Sequence, residues 1–127
     1  MTNTNTVLAP TNATPTQDPD TTFDGYQQHV DATIVRAAAH KLEFVTLGLC
    51  GEAGELAEKV KKWMRGDYEL TDEVKAGMAK ELGDILWHVA RAASIVGYSM
   101  SDVVRMNNKK LAVRLDTDKI NGNGDNR

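Results

Sequence analysis

Residues 42–64 read LEFVTLGLCGEAGELAEKVKKWM, and residues 72–96 read DEVKAGMAKELGDILWHVARAASIV. Neither stretch contains proline, and in both the apolar residues recur mostly at steps of three and four. The first series is Leu42, Val45, Leu49, Ala53, Leu56, Val60 and Met64; the second is Met78, Leu82, Ile85, Leu86, Val89, Ala93 and Val96. On a helix turning about 100° per residue, that spacing draws one apolar stripe. No stretch of the chain alternates apolar and polar residues with β-branched enrichment, so strands are not expected. The connection between the two helices, about Arg65 to Thr71, is short, which predicts antiparallel neighbours.

Each helix also carries a pair of acids on one flank of its stripe. Glu52 stands at the stripe's edge and Glu55 about 60° farther round, with Lys59 between them. Glu81 stands at the edge of the other stripe and Asp84 about 60° beyond, with His88 between them. Both pairs fall on the same rotational flank. When two stripes pack face to face on antiparallel helices, matching flanks point to the same side. The midpoint between the two pairs is Tyr68, the centre of the connection, so they share a level as well. Four carboxylates are therefore expected on one patch. At about 5 Å and an effective dielectric of about 20, each like-charged pair costs on the order of 3 kcal/mol. Nearby bases or a bound cation must offset this. An all-oxygen donor set suits Mg²⁺ or Mn²⁺. The plainer alternative is a solvated flank paired with Lys59, Lys62 and Lys80, since charges commonly border apolar seams.

Outward from this pair, the chain of 127 residues has the length of one domain and the composition of an ordinary soluble protein, 41% hydrophobic and 26% charged. A single cysteine, Cys50, excludes an intrachain disulfide and a multi-cysteine zinc site, and it reads as a small buried core residue. A net charge of −3 argues against a nucleic-acid polymer or an anionic membrane as partner. No apolar run is long enough for a membrane span and no signal peptide is visible, so a cytoplasmic setting is expected. Residues 1–22 hold eight threonines and all three prolines, and the first base of the chain is Arg36. Such a segment buries too little apolar surface to offset its ordering entropy and is expected to be disordered. Deleting residues 1–20 should accordingly leave the folded state, its assembly and its activity nearly intact. A large drop in melting temperature, or a smaller particle in sedimentation, would show that the head is structural.

Two more helices complete the expected body. One runs from about Phe23 to Ala39. The other runs from Ser99, where Ser99 and Asp102 fit a capping box, to about Arg114. Gly66 and Gly97 are placed to end the two central helices. On the last helix Asn107, Lys110 and Arg114 fall within about 60° of one another. An amide, an ammonium and a guanidinium on one strip can hold a triphosphate; the alternative is a basic last turn that complements the helix dipole. Lys59 and Lys62 either neutralise the acids or touch phosphate. Arg127, in a Gly-rich tail, is a further counter-charge for phosphate, or part of a frayed end. His29, His40 and His88 lack metal-ligand spacing and read as structural. Trp63 and Trp87 read as packing residues of the core or an interface.

Four short motifs occur in an order that resembles a known family. Gly48-Leu49-Cys50-Gly51-Glu52-Ala53-Gly54-Glu55-Leu56-Ala57-Glu58 resembles the Glu-x-x-Glu signature of the MazG-like, all-α nucleoside triphosphate pyrophosphohydrolases, and Glu81-Leu82-Gly83-Asp84 resembles their Glu-x-x-Asp signature. Asn107-Asn108-Lys109-Lys110-Leu111-Ala112-Val113-Arg114 is similar to a later Asn-x-x-Lys-Leu-x-x-Arg element. Gly122-Asn123-Gly124-Asp125-Asn126-Arg127 is similar to a tail of some members, and Tyr26-Gln27 to the start of the first helix. The resemblance covers about residues 23–127. His88 stands where many relatives have an aromatic residue, and the Thr/Asn head has no counterpart. The resemblance implies an all-α, four-helix MazG-like bundle that hydrolyses a nucleoside triphosphate, foremost a deoxynucleotide, to the monophosphate and pyrophosphate. It further implies Mg²⁺, with Mn²⁺ as substitute, held by Glu52, Glu55, Glu81 and Asp84. Glu55 is the first choice to orient or deprotonate water, and Lys110 and Arg114 to steady the pyrophosphate. A homodimer or homotetramer, with sites near subunit interfaces, is implied as well. Two rival readings are a non-catalytic helical dimerisation module and a related hydrolase of another pyrophosphate, such as an alarmone or phosphoribosyl-ATP.

Overall fold

The structure is a computed structural model that describes residues 21–116. The Thr/Asn-rich head up to residue 20 and the tail bearing Arg127 lie outside the described residues. Four helices follow in order: α1 (Phe23–Ala32), α2 (Leu42–Met64), α3 (Asp72–Ile95) and α4 (Met100–Asp116), with a 3-10 turn at Ala37–His40 between the first two. No strand occurs among the described residues. The protein is all-α, as expected.

Local chemistry accounts for the helix ends. The Thr22 and Thr71 hydroxyls accept from the amides of Gly25 (3.0 Å) and Val74 (3.3 Å), capping α1 and α3. At α4 the Ser99 hydroxyl accepts from the Asp102 amide (3.0 Å), and the Asp102 carboxylate in turn accepts from the Ser99 hydroxyl (2.8 Å). The Asp102 carboxyl is held below its usual pKa first by its Ser99 hydrogen bond and then by Arg105. Gly66 and Gly97 leave α2 and α3 at φ of 81° and 84°, a left-handed conformation that glycine adopts without cost.

The helix expected from Phe23 to Ala39 is instead two pieces. Thr33, Ile34 and Val35 are consecutive β-branched residues that lose side-chain freedom in a helix. The Thr33 hydroxyl donates to the Val30 carbonyl (2.8 Å) where α1 stops. Beyond the break, the Arg91 Nε donates to the Ala39 carbonyl (2.7 Å), tying the 3-10 turn to α3.

The long pair of α2 and α3 is the spine of the molecule, and the Tyr68 hydroxyl donates to the Lys59 carbonyl, folding the connection back onto α2. Around the later half of α3, α1 and α4 close a small core of Val30, Ala90, Ala93 and Met100, flanked by Tyr26, Trp87, Val89 and Val103. Gln27 is buried within this end. Its amide donates to the Ser94 hydroxyl and the Tyr98 carbonyl (both 2.9 Å), and its carbonyl accepts from the Met100 amide (2.8 Å).

The two central stripes are not fully face to face. Of the α2 series only Val45 is buried, while Leu42 and Met64 are exposed. Ala53, Leu56, Ala57, Val60 and Met64 line an open apolar groove of about 570 Å³. The helices meet along one edge of the stripe instead, which draws the acidic flank into the seam. Cys50, expected in the core, is exposed, because it lies on the side of α2 turned away from α3. Trp87 packs on the core, whereas Trp63 is half exposed. No helix among the described residues is long and apolar enough to cross a membrane.

Candidate metal centre

On α2, Gly48, Glu52, Glu55 and Lys59 fall within an arc of about 60°; on α3, Glu81, Asp84 and His88 do the same. These two lines face each other in the antiparallel register expected from the centring on Tyr68. Gly48 and His88, each twenty residues from Tyr68, are in direct contact: a Cβ placed on Gly48 would stand 2.2 Å from the His88 Nε2. Nearer the connection, by one turn at Glu52 and by two at Glu55 and Glu81, these three residues each present a carboxylate oxygen within 4.8 Å of the others. Three of the four expected carboxylates therefore converge. Asp84, one turn along α3 from Glu81 and exposed, lies outside that group.

The bases sort differently from one another. The Lys59 ammonium is 3.3 Å from the Glu81 carboxylate across the helix pair. The Glu81 side chain is only 12% exposed, so this is the most enclosed charge of the cluster's ion pair. Lys62 turns instead to Glu58 on its own helix (3.7 Å). Glu58 is held below the usual carboxylate range mainly by its hydrogen bond with Lys61. Glu58 thus draws both Lys61 and Lys62 outside the seam. Asp84 is felt by α1: burial first, and the Asp84 charge second, raise the pKa of the Tyr26 phenol.

Three carboxylates against one ammonium leave about two negative charges in a partly enclosed seam, and every available donor is oxygen. That balance fits a hard divalent cation. Oxygens that share one Mg²⁺ stand about 3–4 Å apart, a spacing that carboxylates within 4.8 Å reach by side-chain rotation.

The α4 strip is only partly at the surface. Asn107 and Lys110 line a shallow groove of about 480 Å³ with Tyr98, Val103 and Met106, built by α4 and the α3–α4 connection. Arg114 is buried, at 7% exposure. Sequence reasoning did not single out Gly48 or Arg91. Extending the Tyr68 centring by one more turn pairs Gly48 with His88, so that signal was present; Arg91 had none, because its partners lie far away in the chain.

A family model described as the MazG nucleotide pyrophosphohydrolase domain matches residues 40–117. That span contains the whole α2–α3 pair with its acidic seam, and α4. The chain is also similar to the Gene 37 protein of Mycobacterium phage L5, at 46% identity over 87 residues, covering 68% of this chain and 76% of that protein. No solved structure matches the chain. The carboxylate seam and the matched span together lead to one conclusion: the chain belongs to the MazG nucleotide pyrophosphohydrolase domain family.

Proposed function

We propose that the protein hydrolyses a nucleoside triphosphate, foremost a deoxynucleotide, to the nucleoside monophosphate and pyrophosphate, in control of the nucleotide pool or removal of non-standard nucleotides. The observation that carries this reading is the convergence of Glu52, Glu55 and Glu81 within 4.8 Å, inside the span that matches the family. Glu52, Glu55, Glu81 and Asp84 would hold Mg²⁺, with Mn²⁺ able to replace it. When bound, the cation offsets phosphate charge and makes nearby water more acidic. Glu55, the exposed member of the converging three, would orient a solvent water toward the α-phosphorus and accept its proton. Glu81, enclosed and paired with Lys59, is better suited to fixed coordination than to proton transfer. Lys59 supplies a positive charge at the seam itself, while Asn107, Lys110, Arg114 and Arg127 are the candidates for the outer phosphates.

The open groove along α2 supports assembly. Its lining of Ala53, Leu56, Ala57, Val60 and Met64, together with exposed Leu42, Phe44 and Leu47, is apolar surface that the thin core leaves uncovered. A second copy of the chain is the occupant this reading requires, giving a homodimer or homotetramer in the cytoplasm. Its partner would bring groups to the seam that one chain does not supply.

Product analysis tests the reaction. With Mg²⁺ and a panel of natural and modified nucleoside triphosphates, at least one should yield a monophosphate and pyrophosphate. Orthophosphate with a diphosphate would mean attack at the γ-phosphorus and overturn the mechanism. No turnover with any nucleotide would favour the dimerisation module.

A further inference from the structure

We infer that His88, seated against Gly48, is a positioning residue that sets the separation of α2 and α3 at the carboxylate seam, and so the geometry in which Glu52, Glu55 and Glu81 meet a divalent cation. The inference rests on the proposed metal site and assigns His88 a role within it.

The imidazole is held on three sides. Its Nδ1–H donates to the Asp84 carbonyl (2.9 Å) one turn back on the same helix. The Trp87 ring meets it edge-on with centroids 4.9 Å apart. Its Nε2 edge lies against Gly48 of α2, where a methyl group has no room unless the ring or the helix gives way. A ring fixed to one helix and pressed on the bare backbone of the other is a spacer of defined thickness. Glu52 is one turn from Gly48 on the same line, and Asp84 is one turn from His88. A change in separation at the spacer is therefore felt first at Glu52, about 6 Å away along the axis, and then at Glu55 and Glu81, two turns from the spacer. Glycine elsewhere in α2 does not share this role: a Cβ on Gly51 or Gly54 would meet nothing within 4 Å.

Mn²⁺ binding to the full chain without nucleotide, followed by calorimetry or by the spectrum of the free ion, reads the site independently of turnover. Gly48→Ala displaces the ring or the helix, and His88→Ala removes the spacer and lets the helices collapse or loosen. Each should weaken Mn²⁺ binding on the order of tenfold, the low end of losses when groups that orient ligands are removed. The double variant carries the discriminating result. Once the ring is gone, the added methyl has room, so Gly48→Ala should change Mn²⁺ affinity little in the His88→Ala background, the non-additivity expected of groups in contact. Far-UV circular dichroism confirms that each variant is folded at the temperature of measurement. His88→Ala leaves a gap and not a clash, and so keeps the test open if Gly48→Ala does not fold. A folded His88→Ala protein with a lowered melting temperature but wild-type Mn²⁺ affinity would reduce His88 to ordinary packing and overturn the inference. Failure of the wild-type chain to bind Mn²⁺ would overturn the metal-site reading itself, and this inference with it.

Discussion

Glu81→Gln is expected to abolish pyrophosphate release while leaving the fold intact. Glutamine keeps the shape of the side chain and removes its charge. In chelator two effects oppose each other. Repulsion from Glu52 and Glu55 is relieved, and the partly exposed ion pair with Lys59 at 3.3 Å is lost, a contribution of about 1 kcal/mol or less. The stability should then stay within about 1 kcal/mol of wild type. With Mg²⁺ the balance changes. A ligand at a hundred times its dissociation constant stabilises the native state by about 2.7 kcal/mol, and a site that has lost one of three converging carboxylates forfeits most of that. Thermal melts of both proteins, with Mg²⁺ and with chelator, should therefore show a gap that opens only when metal is present. If Glu81 served Lys59 alone, the difference would be small and equal in both buffers, and Glu81 would leave the proposed ligand set.

The helix pair was legible because two strong signals agreed. Apolar spacing marked α2 and α3 as helices, and the centring of the acids on Tyr68 predicted their register, which the Gly48–His88 contact and the Glu52–Glu55–Glu81 cluster then satisfy. Periodicity states which face of a helix is apolar but not what covers it. For that reason the α2 stripe, expected on α3, stands half open at Ala53 and Met64, and Cys50 is exposed. The break after Ala32 was missed because β-branched residues weaken a helix by only a few tenths of a kcal/mol each. The break is held locally by the Thr33 hydroxyl on the Val30 carbonyl and, one turn farther on, by the tertiary bond from Arg91 to Ala39. Lys59 and Lys62, alike in sequence, parted for a geometric reason: Lys59 lies on the seam line opposite Glu81, and Lys62 lies within reach of Glu58.

The largest stability loss should follow Arg91→Met. Arg91 is a cation only 8% exposed, set among Val89, Ala90 and Ala93, and each of its partners lies more than fifty residues earlier in the chain. Its Nε donates to the Ala39 carbonyl (2.7 Å), Nη1 to the Asp31 carboxylate (2.8 Å) and Nη2 to the His40 Nδ1 (3.1 Å). One side chain thus fastens the end of α1 and the 3-10 turn to α3. Methionine preserves the aliphatic body and removes every donor. The buried Ala39 carbonyl loses its partner, and Asp31 is left with the Ser94 hydroxyl at 2.7 Å. Removing one member of a buried ion pair costs about 3–5 kcal/mol, and Asp31, at 38% exposure, recovers part of that from water. The expected loss is about 2–4 kcal/mol. Asp31→Asn is the control: its amide oxygen still accepts from Arg91, and Ala39 keeps its donor, so the loss should stay below about 1.5 kcal/mol. Urea unfolding at one fixed protein concentration measures both, because assembly would make stability concentration-dependent. Arg91 stands two turns beyond Asp84. Below the melting transition Arg91→Met should therefore bind Mn²⁺ as wild type does, which separates a residue that holds the fold from one that shapes the seam. A loss under 1 kcal/mol would mean that the 3-10 turn is held by apolar contacts, with Val45 and Ala39 the residues to vary next.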